Sequence, residues 1–328
     1  MRRHRLVLPL SALLVGALGV GCTSVSKPGS SGLRLAPPST PASRAAKIPS
    51  DLAALSRPLV FVSDRGPNYE IFTMLPDGTG QHAITKSAEQ NSWPALSPDG
   101  TRIAFARTIH SNTDVYVMNV NGTDLGRLTD APAPDYHPTW PPDGTSIAYE
   151  GMEGGDADIH VMKADGSHDV NITRNNALDG SPAWSPDGNE IVFESSRDGR
   201  DELYSILPDG SGLQRLTVSK GENTDPAWSP DGRTIAFSST REGPPRLFVM
   251  DPDGATQIMV SPPESGLGPG VAPGVWADSN PAWSPNGAWL AFQTTRSGIP
   301  QVWAMSPTGE PAVALTDLGA NGSPSWGA

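Results

Sequence analysis

From about residue 59 onward the chain is built of short apolar runs separated by turn residues. "RIAFAR" (102–107), "DVYVMNV" (114–120), "EIVFES" (190–195) and "TIAFSS" (234–239) are rich in Val, Ile, Phe and Tyr, and Asp-Gly or Asn-Gly pairs punctuate the chain between such runs. Such punctuation predicts β-strands joined by tight turns, with little helix. The second run of each group is apolar on successive residues ("IAF", "IVF", "LAF"). A strand covered on both faces has that pattern, whereas a half-exposed one alternates.

The runs repeat. Their aromatic residue falls at Phe61, Phe105, Tyr149, Phe193, Phe237 and Phe292, with spacings of 44, 44, 44, 44 and 55. A second series, Met74, Met118, Met162, Ile206, Met250 and Met305, keeps the same spacings, which makes it repeated core filler. A third runs Leu96, Trp140, Trp184, Trp228, Trp283 and Trp326, displaced so that its last member lies near the C-terminus. Each unit holds four strand signals, with Pro-Asp-Gly or a relative between the first and second and between the third and fourth. Four-stranded units of this period predict an all-β, six-bladed β-propeller over residues 59–328. The domain opens on a second strand ("LVFVSDR") and ends on a first strand ("SPSWGA"). The C-terminal strand is therefore expected to complete the first blade and close the ring, leaving no open edge.

The repeats "PAWSPDGNEIVFESSRDGRDELYSILPDGSGLQRLT" (182–217) and "PAWSPDGRTIAFSSTREGPPRLFVMDPDG" (226–254) resemble the TolB-like β-propeller repeat. The resemblance covers residues 59–328. It implies a six-bladed propeller and, as in the periplasmic TolB of the Tol-Pal envelope system, a partner held at a mouth of the channel. It extends to propeller domains of peptidases and sugar lyases, so fold alone does not assign the function. TolB carries a further domain before its propeller. Here that place holds a Ser/Pro/Ala-rich stretch.

The N-terminal region changes the picture of where the protein works. Arg2, Arg3 and Arg5 precede an apolar run, Leu6 to Val20, and the only cysteine follows it in "LGVGC". The run is short for a membrane span and right for an export signal. Residues 1–21 resemble a lipoprotein-type signal peptide, which implies lipidation at Cys22 and a lipid anchor on the extracytoplasmic face of a bacterial membrane. The usual Leu three residues before the Cys is Gly19 here, with Leu18 one place further back. Residues 22–58 are expected to form a flexible tether. Residues 59–328 carry 34 of the 35 acidic residues and 15 of the 23 basic ones, a formal charge of −19. Nucleic acid is excluded as a partner by that balance. Much of the acid belongs to Asp-Gly turns, where geometry selects Asp.

Catalysis has little support in the pattern. No Gly-x-Ser-x-Gly occurs, and the Ser and Asp of Ser-Pro-Asp-Gly recur around the ring with no His at a fixed offset. The six histidines show no metal-ligand spacing. No catalytic residue, metal or cofactor is expected. Candidate partner-binding residues lie instead just before each "PxW" strand: Trp93, Asp135, Tyr136, His137, Asp179, Asp225, Asp278 and Asn280. The loops of the same face carry Arg65, Arg197, Arg241 and Arg296, each four residues after its blade's aromatic, a regular placement that suits pairing with nearby carboxylates. Arg241 and Arg296 join the candidate surface. An eleven-residue insertion within 260–280 adds Trp276, either an interface anchor or a residue folded back onto the last blade. These features predict a monomeric, non-catalytic scaffold for an envelope protein or peptidoglycan-associated partner. The alternative is a carbohydrate or small-ligand propeller, lyase-type included, with its site in the channel mouth.

Overall fold

The computed structural model describes residues 48–262, 267 and 271–327. Cys22, the signal sequence and most of the tether lie outside the described residues, as does part of the 260–280 insertion. Six antiparallel four-stranded sheets form the blades of the propeller. Blade two is representative, with strands Gln90–Leu96, Arg102–Ile109, Asn112–Asn119 and Gly126–Arg127 running from the axis outward. The outermost strand is two or three residues long in every blade, a length that offers no template for edge pairing.

Closure is as the sequence predicts. The C-terminal strand Asn321–Trp326 pairs with Leu59–Ser63, setting Leu59 opposite Trp326 and Ser63 opposite Asn321. Six apolar clusters, one at each junction between neighbouring blades, make up the core. Phe61, Phe105, Phe193, Phe237 and Phe292 are fully buried in them, and the methionine series packs alongside. That explains the unbroken apolar runs of the second strands: each is covered by a blade on both sides.

The turns between blades' first and second strands are built from their own side chains. In Ser-Pro-Asp-Gly, the Asp99 carboxylate accepts from the Ser97 hydroxyl at 2.6 Å and from the Thr101 N–H at 3.0 Å, which pulls its carboxyl down to about 2. Ser185–Asp187 and Ser229–Asp231 repeat the bond. The repeated Ser and Asp are thus turn chemistry. In the outer hairpins the glycine is obligatory where blades touch. Gly254 has φ +85°, and a Cβ there would sit 2.1 Å from the Leu216 carbonyl oxygen.

One boundary is corrected. The tether was expected to run to residue 58, but residues 48–58 belong to the propeller. A short helix, Ser50–Ala53, buries Leu52 completely between the last and first blades, among Phe61, Met74, Trp289, Val302 and Trp326. Asp51 accepts from the Trp289 indole at 3.2 Å, and the Arg57 carbonyl accepts from the Trp326 indole at 3.3 Å. Arg57 also donates to the Pro98 carbonyl, so the segment enters on the face of the Pro-Asp-Gly turns between first and second strands.

Candidate functional site

An Asn or Asp at the start of each inner strand ties structure together. These residues are Asn91, Asp135, Asp179, Asn223, Asp278 and Asn321, each at most 2% exposed. In five blades an arginine reaches this residue while lying over aromatic rings. Arg197 donates to Asp179 at 2.9 Å and lies over Phe193 and Tyr204. Arg241 donates to Asn223, Gln257 and Ser239 and lies over Phe237 and Phe248. Arg296, with no exposed surface, pairs with Asp278 at 2.8 Å between Trp276 and Trp303. Arg65 and Arg107 do the same for Asn321 and Asn91.

Five expected binding residues are thereby corrected. Asp179, Asp278, Arg241 and Arg296 are spent on these clamps. Trp276, at 4% exposure, is held between Arg246 and Arg296, and its indole donates to Asp278. The insertion folds back at this point, and Trp276 is no surface anchor. A sixth correction is Asp135. Blade three has no arginine in this place; Gly151 and the His160 ring, 5.2 Å from Tyr149, fill the space, and Asp135 is buried with one carboxylate oxygen unpartnered. Burial pushes its carboxyl up to about 6.

Two positions further along, the inner strands do something different. Trp93, His137, Ser181, Asp225, Asn280 and Ser323 all have left-handed backbone, with φ between 45° and 52°, and each precedes a proline. The register with the second strand breaks there in every blade. Such a bulge re-aims a side chain, and non-glycine residues held in this region are strained. All six line the central channel, a cavity of about 270 Å³ that runs on past the Trp140, Trp184 and Trp228 ring to the Pro98 and Pro142 end. Trp93 packs edge-on against Tyr136 at 5.1 Å and lies 4.6 Å from the His137 ring. Asn280 donates to Asp225 at 3.0 Å.

Behind this ring stand the second-strand residues Val62, Ala106, Glu150, Glu194, Ser238 and Gln293, one after each blade's aromatic. Glu150 is bonded by His137 Nδ1 at 2.8 Å, and Glu194 accepts the Asp225 N–H at 3.1 Å. Both lean over Gly180, where a Cβ would lie 2.7 Å from Glu150 and 3.3 Å from Glu194, so a larger residue there would displace the carboxylates. Burial, then the charges of Asp225, Asp201 and Glu150, push the Glu194 carboxyl well up. Burial raises Asp225 too, against the opposing pull of His137. The hydroxyl of Ser181 and the Nε2 of His137 have no partner. Chemically this is an acceptor-rich, acidic mouth with an aromatic rim.

Compared with family models, residues 78–180 and 170–273 match the TolB beta propeller domain. The chain belongs to the TolB beta propeller family. Among solved structures, TolB from Acinetobacter baumannii superposes with TM-score 0.70 at 20% identity over 83% of this chain and 67% of that one. The putative TolB from Agrobacterium tumefaciens gives 0.64 at 22%, covering 81% and 91%. An oligogalacturonate lyase from Vibrio parahaemolyticus gives 0.54 at 13%, covering 79% and 74%. The sequence finds no match among curated proteins.

Sequence reasoning named Trp93, Tyr136, His137, Asp225 and Asn280, residues that this TolB-family propeller brings to one mouth. It passed over Ser181 and Ser323 as ring members and missed Glu150 and Glu194 altogether. The signal for the two glutamates was present: "YE" and "FE" stand where blades one and two have "FV" and "FA".

Proposed function

We propose that this protein is an exported, lipid-anchored and non-catalytic scaffold that binds an envelope protein or peptidoglycan-associated partner at the acidic channel mouth. One observation carries the reading. On a ring whose core, turns and clamps are nearly the same in every blade, the strained channel-facing position holds Trp, His, Ser, Asp, Asn and Ser. Scaffold alone has no need of that variety, whereas recognition of an asymmetric partner does. Membership of the TolB family supports an envelope role. Affinity capture from the native envelope tests the proposal. Trp93→Ala with Asp225→Ala is expected to abolish partner recovery while Trp276→Phe leaves it intact. Undiminished recovery by the double variant removes the mouth from the function.

A further inference from the structure

Resting on that reading, we propose that the mouth recognises a primary ammonium group, from a lysine side chain or a chain N-terminus of the ligand. Glu150 and Glu194 are 2% and 4% exposed, on either side of Gly180, and Asp225 adjoins Glu194 through its own N–H. Among the ion pairs of the described residues, no lysine or arginine reaches any of the three; Glu150 has only His137. Buried carboxylates without a cation are costly, and the chain supplies arginines to the carboxylates of blades four and six but none here.

A second observation points to what completes the site. Ser181, 7% exposed and in the channel ring, has a hydroxyl with no partner. An ammonium offers three donors in a compact head. Glu194, Asp225 and the Ser181 hydroxyl supply acceptors of that number, and Trp93 lines the same channel. A metal ion fits less well, since among the described residues no three His, Cys, Asp or Glu side chains are grouped as ligands. The upward push on Glu194 and Asp225 agrees with a site that waits for a positive charge.

The test is NMR titration of the purified full chain, following the Trp93 indole and the Ser181 amide. The probes are n-butylammonium chloride, Nα-acetyl-lysinamide and alanyl-alaninamide, with butanol and sodium butyrate as controls. Saturable shifts are expected with the amines and none with the controls, and whichever of the two amides binds more tightly identifies the ammonium source. Glu194→Gln, with Asp225→Asn as a second variant, is expected to weaken binding at least tenfold with no loss of thermal midpoint. Equal shifts from butanol, unaltered affinity in both variants, or tighter saturation of the same signals by CaCl₂ or MnCl₂ overturns the inference. Partner capture separates the two claims. Capture lost with Trp93→Ala/Asp225→Ala yet kept in Glu194→Gln sinks the ammonium and spares the mouth, while capture kept in all of them sinks the mouth itself.

Discussion

At the scale of single residues, the same position carries opposite energetic signs in different blades. Asp278 and Arg296 are both fully buried and satisfy each other. Removing one partner strands the other charge, so Asp278→Ala is expected to cost about 3–5 kcal/mol in denaturant unfolding. Asp135 occupies the equivalent place without an arginine. An acid whose folded pKa is raised stabilises the fold only while it is protonated. Its contribution is full below the unfolded value near 4 and is lost as pH rises through about 6. At pH 7.5 the charged, buried Asp135 is therefore a burden. Asp135→Asn is expected to gain about 1–3 kcal/mol there, with the gain vanishing below about pH 4. A loss of stability at pH 7.5 would show that the Asp135 charge has a compensating partner. The arginine series was legible as local pairing because it kept a fixed offset from each aromatic, but Arg197 and Arg296 meet carboxylates while Arg65 and Arg241 bond to Asn and Gln side chains. Asp135, Asp179 and Asp278 were misread because a polar residue before a strand looks the same in sequence whether it ties blades or faces a channel.

At the scale of elements, the bulge in each inner strand explains that ambiguity. In a regular strand the first and third residues share a face. Here the left-handed third residue breaks the alternation, so Asp135 turns into the blade while His137 turns into the channel. The proline after it was visible in the sequence; the backbone twist it accompanies was not. The helix Ser50–Ala53 was hidden for another reason. Within "IPSDLAALSRP" only Leu52 is fully buried, with Ile48 and Leu55 packed partly against the same cluster, and the pocket exists only where the last blade meets the first, beneath a Trp289 that stands where other blades have Arg102, Ser146, Glu190 and Thr234. Leu52→Ala is expected to destabilise the protein by about 2–5 kcal/mol through the cavity left at that seam. A change under half a kcal/mol in the unfolding midpoint analysis would mean that the segment merely rests there.

At the scale of the whole molecule, periodicity gave the blade number, the closure and the core directly, because each repeat must bury both faces against its neighbours. Function follows the departures from that periodicity, and most of them converge on one mouth of the channel. Trp93, Tyr136, His137, Asp225 and Asn280 come from four different blades and about 190 residues of sequence, yet the ring gathers them around one opening. The outer strands and the residues leading into them, where Val170 and Leu213 are exposed, follow the repeat and have no such asymmetry. The most direct measurement is photo-crosslinking in the native envelope, with a photoreactive phenylalanine analogue placed in turn at positions 93, 136, 170 and 213. Adducts from 93 and 136 with one common partner, and none from 170 and 213, are the expected result. Adducts confined to 170 and 213 would contradict the account.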